Sequence, residues 1–199
     1  MMENDFFSKL AFEMEPEDLM AGKVLISEPF LGDPNFTRSV VLLLEYSKTE
    51  GALGVIINKP LAIDMKTVVS TFPYPGFDFH YGGPVNDDNL FFIYTSKFII
   101  AGGEKASPEI GWGGDFNDIK DKIALGEITP EEVKFFGGYS GWSAGQLEQE
   151  LADKSWIIGS LSTHDIFNTD ANLLWKKALK PLGKKYSVMA NFPENPELN

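Results

Sequence analysis

Residues 40–44 read Val-Val-Leu-Leu-Leu, a strand-forming run with no polar side chain on either of its alternating faces. A strand that can turn one face to water alternates polar and apolar residues; this one cannot, so it has to be covered on both sides. After the turn formers of residues 48–51 the chain returns through a second apolar run, residues 52–58. That connection is too short for a crossover helix, so the two runs form an antiparallel hairpin. Any fold for this chain must therefore build a sheet outward from the hairpin and stack further elements above and below it.

The flanking segments supply those elements. Residues 16–20 read as a short helical turn ended by Gly22, residues 23–27 as a strand, and residues 32–35 as a turn leading into a strand over 38–46. Pro60 is expected to stop the returning strand, and a helix capped by Asp64 is predicted over 63–72, before the Pro-Tyr-Pro-Gly break of 73–76. Strands are predicted at 77–81 and 90–95, separated by Gly82-Gly83-Pro84 and a polar turn at 86–89, with a short strand at 110–112. A helix over 115–125, capped by Asp115 and ended by Gly126, precedes a one-turn lead-in at 129–132 and a strand from 133. A helix at 146–153, a strand at 156–160 and an amphipathic helix at 172–182, placed by Asp170, complete the pattern. No repeat or interdomain linker interrupts it. The expected organisation is one domain over 1–199, with its core at about 16–190 and loose tails at both ends. The expected class is α+β: a bent, mixed, mostly antiparallel sheet with packed helices.

A chain of 199 residues buries about 70% of the surface its unfolded form exposes, so it needs no covalent staple. It has none: there is no cysteine, which removes disulfides, thiolate metal sites and cysteine nucleophiles together. With 29 acidic against 17 basic residues the formal charge is -12, a field that repels nucleic-acid phosphates and anionic membranes. Lys176, Lys177, Lys180, Lys184 and Lys185 form a local exception, read as a solvated helix face rather than a phosphate-binding patch. Residues 1–10 lack the basic and apolar regions of a secretory signal, and the longest strongly apolar stretch, 40–44, is far short of the ~20 residues of a bilayer span. Cytoplasm is the expected compartment, with no membrane association and direct nucleic-acid binding disfavoured. No metal site and no cofactor is expected; Asp115, Asp118 and Asp121 fit no metal-ligand spacing and read as a solvated face.

Gly141-Trp142-Ser143-Ala144-Gly145 satisfies the G-x-S-x-G pattern between a predicted strand and a predicted helix, the context of a nucleophile elbow. The reaction needs a histidine and an acid, and Ser143, Asp153 and His164 stand in workable order, though within one helix and one strand. The same letters also make the S-x-x-Q capping box, Ser143 with Gln146, which explains them without chemistry and is preferred. Arg38 is the sole arginine among the 17 basic residues. Its planar fork suits a carboxylate or phosphate, which would put Arg38, Asn35 and Asn58 at a pocket mouth; an ion pair with a neighbouring glutamate is the preferred reading. Gly82 and Gly83 permit close backbone approach but lack the lysine and hydroxyl of a phosphate loop, so a bend in the sheet is expected there.

Three blocks of sequence resemble the YqgE/AlgH family. They are residues 21–60, containing Asp-Pro-Asn-Phe-Thr-Arg at 33–38 and Gly-Ala-Leu-Gly-Val-Ile-Ile-Asn-Lys-Pro at 51–60; Gly-Gly-Pro-Val at 82–85; and Gly-Tyr-Ser-Gly-Trp-Ser-Ala-Gly-Gln-Leu-Glu at 138–148. With the Trp156 strand and the Leu174-Trp175 helix they cover most of the chain. The resemblance implies a bifurcated sheet curled into a pseudo-barrel and a bacterial cytoplasmic protein. Some members carry a transcriptional-regulator label, but the family has no agreed biochemical activity and no accepted catalytic residues to transfer, and it commonly has glycine at the position of Ser143. The expected function is a non-enzymatic binding or regulatory module with a protein or small-molecule partner, the alternative being a serine hydrolase using Ser143. The candidate ligand-binding set is Asn35, Arg38, Asn58, Gly82, Gly83, Tyr139, Trp142, Gln146 and Glu148. The sequence sets no oligomeric state.

Overall fold

In the computed structural model, which describes residues 18–192, the all-apolar run is the centre of strand β2, Val40–Ser47. It lies between β1, Val24–Ser27, and β3, Gly51–Ile56, antiparallel to both, as the short connection requires. Its side chains divide between two cores. Val40, Leu42 and Leu44 pack with Val24, Ile26, Val55 and Ile57 on one face, while Val41 and Leu43 pack with Leu25 and Ile56 on the other. Each fully buried aliphatic side chain contributes about 1.5–3 kcal/mol.

The remaining strands are β4, Pro60–Asp64; β5, Asp78–Tyr81; β6, Val85–Thr95; β7, Glu104–Ser107; β8, Ile110–Trp112; β9, Val133–Trp142; and β10, Trp156–Gly159. The sheet runs β10-β1-β2-β3-β9-β6-β8-β7, antiparallel throughout, and β9 is where it forks. One edge of β9 pairs with β6. The other edge pairs first with β5, in parallel through Phe135 to Gly137, and then with β3, through Ser140 to Trp142. The β5 branch carries β4 on its outer side. The bifurcated sheet implied by the family resemblance is thus built on one strand. The hydrogen-bonded path stays open at β10 and β7, so the barrel is not closed. The ends nevertheless curl together: Ala106 of β7 joins the core of Val24 and Leu44.

Six α-helices cover the sheet among the described residues: α1, Met65–Val68; α2, Phe116–Ala124; α3, Gln146–Ala152; α4, Thr163–Asn168; α5, Ala171–Leu179; and α6, Lys184–Met189. α5 lays Leu174, Trp175, Ala178 and Leu179 on the first face of the hairpin, and α3 lays Leu147 and Leu151 on the second. A third core, rich in phenylalanine, fills the β5–β9–β6 side, where Phe72, Phe77, Phe92 and Phe135 meet Ile119 and Ile123 of α2.

Several sequence expectations need correction. Pro60 does not end the region's strand structure but opens β4, as proline can at the first residue of an edge strand. The helix expected over 63–72 is reduced to Met65–Val68; Asp64 does cap it, accepting from the Lys66 N–H at 2.7 Å. The polar turn expected at 86–89 is an irregularity inside β6, with Asn86 at φ 48. β7, α4 and α6 were not expected. Of the expected turn at 16–20, residues 16 and 17 lie outside the described residues, as does most of the tail beyond Asn191.

Candidate functional site

The two glycine clusters meet, and they fill each other's space. The Gly82 N–H donates to the Gly137 carbonyl at 2.9 Å, and the Gly82 carbonyl accepts from the Ile56 N–H at 2.9 Å and from the buried Ser140 hydroxyl at 3.2 Å. A side chain on Gly82 would run into the Gly138 carbonyl, and one on Gly83 into the backbone of Tyr139. Gly138 has φ +70, and a Cβ there would stand 2.6 Å from the Gly83 carbonyl oxygen. Glycine at these positions lets β5, β3 and β9 approach closely at the fork, and no ligand fits between them.

Beyond the fork the backbone opens. The end of β9, the tips of β2 and β3 and the outer strand β7 enclose a cleft of about 820 Å³. Tyr139, Gly141, Trp142 and Ser143 form one wall, Tyr46 and Ser47 another, and Glu45, Glu50 and Glu104, with Lys105, bring the charge. Glu45 is there because the β2–β3 register shifts between Leu43 and Glu45, so that Leu44 stays in the core while the carboxylate turns outward. Gly51, at φ +106, leaves room for the Trp142 carbonyl, which seats the hairpin tip against the end of β9.

Behind this wall α3 supplies the fastenings. One Glu150 carboxylate oxygen accepts from both indole N–H groups, Trp142 at 2.8 Å and Trp156 at 2.7 Å, while the other accepts from the Gln146 amide at 2.9 Å. The two indoles meet edge to face at 5.9 Å. Gln146 also reaches back to accept from the Ser143 N–H at 3.0 Å, one half of the expected capping box. The hydroxyl half is not formed; Gly145, at φ 77, is the cap residue. Glu148 accepts from the Tyr46 hydroxyl at 2.8 Å, and burial, followed by that bond and that charge, pushes the Tyr46 phenol up to about 12.

Of the candidate ligand-binding residues, Tyr139 and Trp142 line the cleft, Gln146 and Glu148 stand behind it, and Gly82 and Gly83 form the packed fork. Asn35, Arg38 and Asn58 lie at the opposite end of β2. Asn58 clips that end, accepting from the Val40 N–H at 2.7 Å and donating to the Arg38 carbonyl at 2.9 Å. Asn35 accepts from the Tyr81 hydroxyl at 3.1 Å. Arg38, at φ 47, sets its guanidinium 4.9 Å from the Trp175 ring centre and donates to the Phe192 carbonyl at 2.5 Å. The cleft residues that the sequence reading missed, Glu45, Tyr46, Glu50 and Glu104, depend on a register shift and on strand β7, neither of which leaves a periodic signature.

Ser143 is exposed and makes no hydrogen bond to Asp153 or His164. Asp153 is the C-cap of α3 and accepts from Gln149 at 3.1 Å; His164 is exposed in the first turn of α4. In the lysine-rich stretch, Lys177 pairs with Asp165 at 2.5 Å, and Lys185 lies over the Tyr186 ring. Asp115 caps α2 and Asp118 pairs with Lys122 at 3.3 Å. Among the described residues no group of three or more histidine, aspartate or glutamate side chains is placed to hold a metal, and no helix is long and apolar enough to cross a membrane.

Comparison with known proteins gives one consistent answer. A family model described as AlgH-like matches residues 24–187. A UPF0301 protein of Bacteroides fragilis is 40% identical over 191 residues, covering 94% of this chain and 96% of its own, and one of Cytophaga hutchinsonii is 40% identical over 185 residues, covering 91% and 100%. The crystal structure of a Corynebacterium diphtheriae protein superposes with a TM-score of 0.76 at 18% identity, over 96% of this chain and all of that one, and shows the fold alone. The solution structure of AlgH from Pseudomonas aeruginosa, also a UPF0301 protein, superposes with a TM-score of 0.69 at 26% identity, over 92% of this chain and 98% of that one. The chain belongs to the AlgH-like UPF0301 family.

Proposed function

We propose that the protein is a non-enzymatic binding module, regulatory in use, and that its partner presents a cationic group to the cleft between the β2–β3 tip and the end of β9. The observation that carries this reading is the make-up of the cleft: an aromatic wall of Tyr46, Tyr139 and Trp142 beside three exposed carboxylates, Glu45, Glu50 and Glu104, against one lysine. Aromatic faces and carboxylates together favour a basic peptide segment or polyamine, by charge attraction and by contact of cations with ring faces. The chain's formal charge of -12 supports the same sign of partner.

Tetralysine serves as the probe. Titrated into isotopically labelled protein, it is expected to shift the amide signals of Tyr46, Gly141 and Ser143. The triple variant Glu45→Gln, Glu50→Gln, Glu104→Gln is expected to bind about tenfold more weakly, three exposed pairs at a few tenths of a kcal/mol each. Shifts scattered over the surface, or unchanged affinity in the triple variant, would refute the reading. A fluorophosphonate is expected to leave the protein's mass unchanged; a stable adduct on Ser143 would replace the binding reading with the hydrolase one.

A further inference from the structure

A second, smaller cleft lies at the other end of β9, and its chemistry is different. β5 and β9 run parallel with His80 opposite Phe136, so Asp78 and Lys134, each two residues along its own strand, point to the same face as His80. The Lys134 Nζ lies 3.5 Å from the His80 Nε2. On the other side of the ring, Nδ1 faces the Phe135 carbonyl at 3.3 Å. A carbonyl oxygen only accepts, so Nδ1 carries the proton and Nε2 offers its lone pair to the lysine. His80 is 3% exposed, and burial, with the nearby lysine charge, pulls its imidazole down to about 4; the ring is neutral at physiological pH.

Lys134 is half-buried and opens with His80 onto a cleft of about 580 Å³. The opposite wall is the end of α4 and the start of α5, Phe167 to Asn172. The carboxylates facing the cleft are Asp78, Glu131 and Asp170, and none is within ion-pair distance of Lys134. Burial holds the Lys134 ammonium below the usual lysine range, with Asp78 opposing. Structural lysines bury their stems and keep the head in water or against a carboxylate. This one keeps its head beside a neutral base with no carboxylate in ion-pair distance, and its desolvation favours the uncharged amine, which is the nucleophilic form.

We propose that Lys134 and His80 form a carbonyl-capturing site for small neutral aldehydes or ketones. The free amine adds through its lone pair to the carbonyl carbon, forming the C–N bond as the carbonyl π bond breaks. His80 Nε2 relays both amine protons to that oxygen in turn: the first makes the hydroxyl of a carbinolamine, and the second lets that hydroxyl depart as water as the C–O bond breaks, leaving an imine and His80 neutral again. Three carboxylates around the opening disfavour anionic carbonyl compounds, which is why the ligand class is neutral.

The test uses propanal with cyanoborohydride, which reduces each imine to a stable propyl amine, followed by peptide mapping of the whole chain. Lys134 is expected to be alkylated at least about tenfold faster than the mean of the other lysines at neutral pH, and His80→Gln to slow that one residue by about a hundredfold while leaving the others unchanged. Glyoxylate, an anionic aldehyde, is expected to give Lys134 a smaller advantage over the other lysines than propanal does. Rates are ratios within one sample, and the wild-type chain alone decides the first point, so a variant that misfolds does not blur the result. Lys134 reacting at or below the mean rate, an advantage that survives in urea, or glyoxylate matching propanal would overturn the proposal.

Discussion

Glu150 sits on a half-exposed helix face, yet it holds two indoles and an amide at once. Replacing it with alanine removes the acceptor of two indole N–H groups, and hydrogen bonds to a charged partner are worth about 1.5–3 kcal/mol each. We expect Glu150→Ala to lower unfolding free energy by about 3 kcal/mol in urea denaturation, and Glu150→Gln, which keeps an acceptor, by less. His80 acts through pH. Its folded imidazole titrates at about 4 against an ordinary value of 6.5, so between these values the unfolded chain binds more protons than the folded one. The sign follows: stability is complete above pH 6.5 and falls as pH drops towards 4. That displacement corresponds to about 3 kcal/mol at full extent. His80→Phe, followed by denaturation at several pH values, is expected to flatten that slope.

At the scale of the element, glycines with similar dihedral angles do different jobs. Gly138 and Gly145 have φ +70 and +77, but a Cβ on Gly138 meets two carbonyl oxygens of the crossing strand segment while one on Gly145 meets nothing. Gly145→Ala is therefore expected to cost about 1 kcal/mol, the strain of a left-handed backbone alone, and Gly138→Ala about 3 kcal/mol or more, measured by the same denaturation series. The elements most readable from sequence were those with redundant signals. The β2–β3 hairpin had an apolar run and a short turn, α2 had Asp115 and Gly126 at its ends, and α3 had its apolar pair at Leu147 and Leu151. β7 is short and polar, Glu-Lys-Ala-Ser, and forms because β8 offers it an edge, so nothing local announces it. α4 had a local signal that was missed: Ser162 accepts from the Asp165 N–H in an ordinary serine cap. The clefts were less legible than the fold. Tyr139 and Trp142 were named from the glycine-rich motif that they interrupt, but Lys134 and His80 are 54 residues apart in sequence and become neighbours only through a parallel pairing.

For the molecule as a whole, charge and its distribution set the field that a partner meets. Lys177 in the lysine-rich stretch is engaged by Asp165, and the net field is strongly negative. Double-stranded DNA is expected to give no gel shift even at low salt, where phosphate contacts are strongest, whereas a shift that weakens steeply with salt would reassign the lysine face. The forked sheet has a mechanical corollary. Because β9 is an edge partner to β3, β5 and β6 together, neither branch can detach without exposing the apolar surface of the other. Hydrogen exchange should find no partly open form that spares one branch: the amides of residues 135–141 should exchange last and at one common rate, that of global unfolding. The acidic cleft lies at the end of β9 and Lys134 emerges at its start, so both openings are built on one strand of ten residues, and whatever unseats that strand dismantles both together.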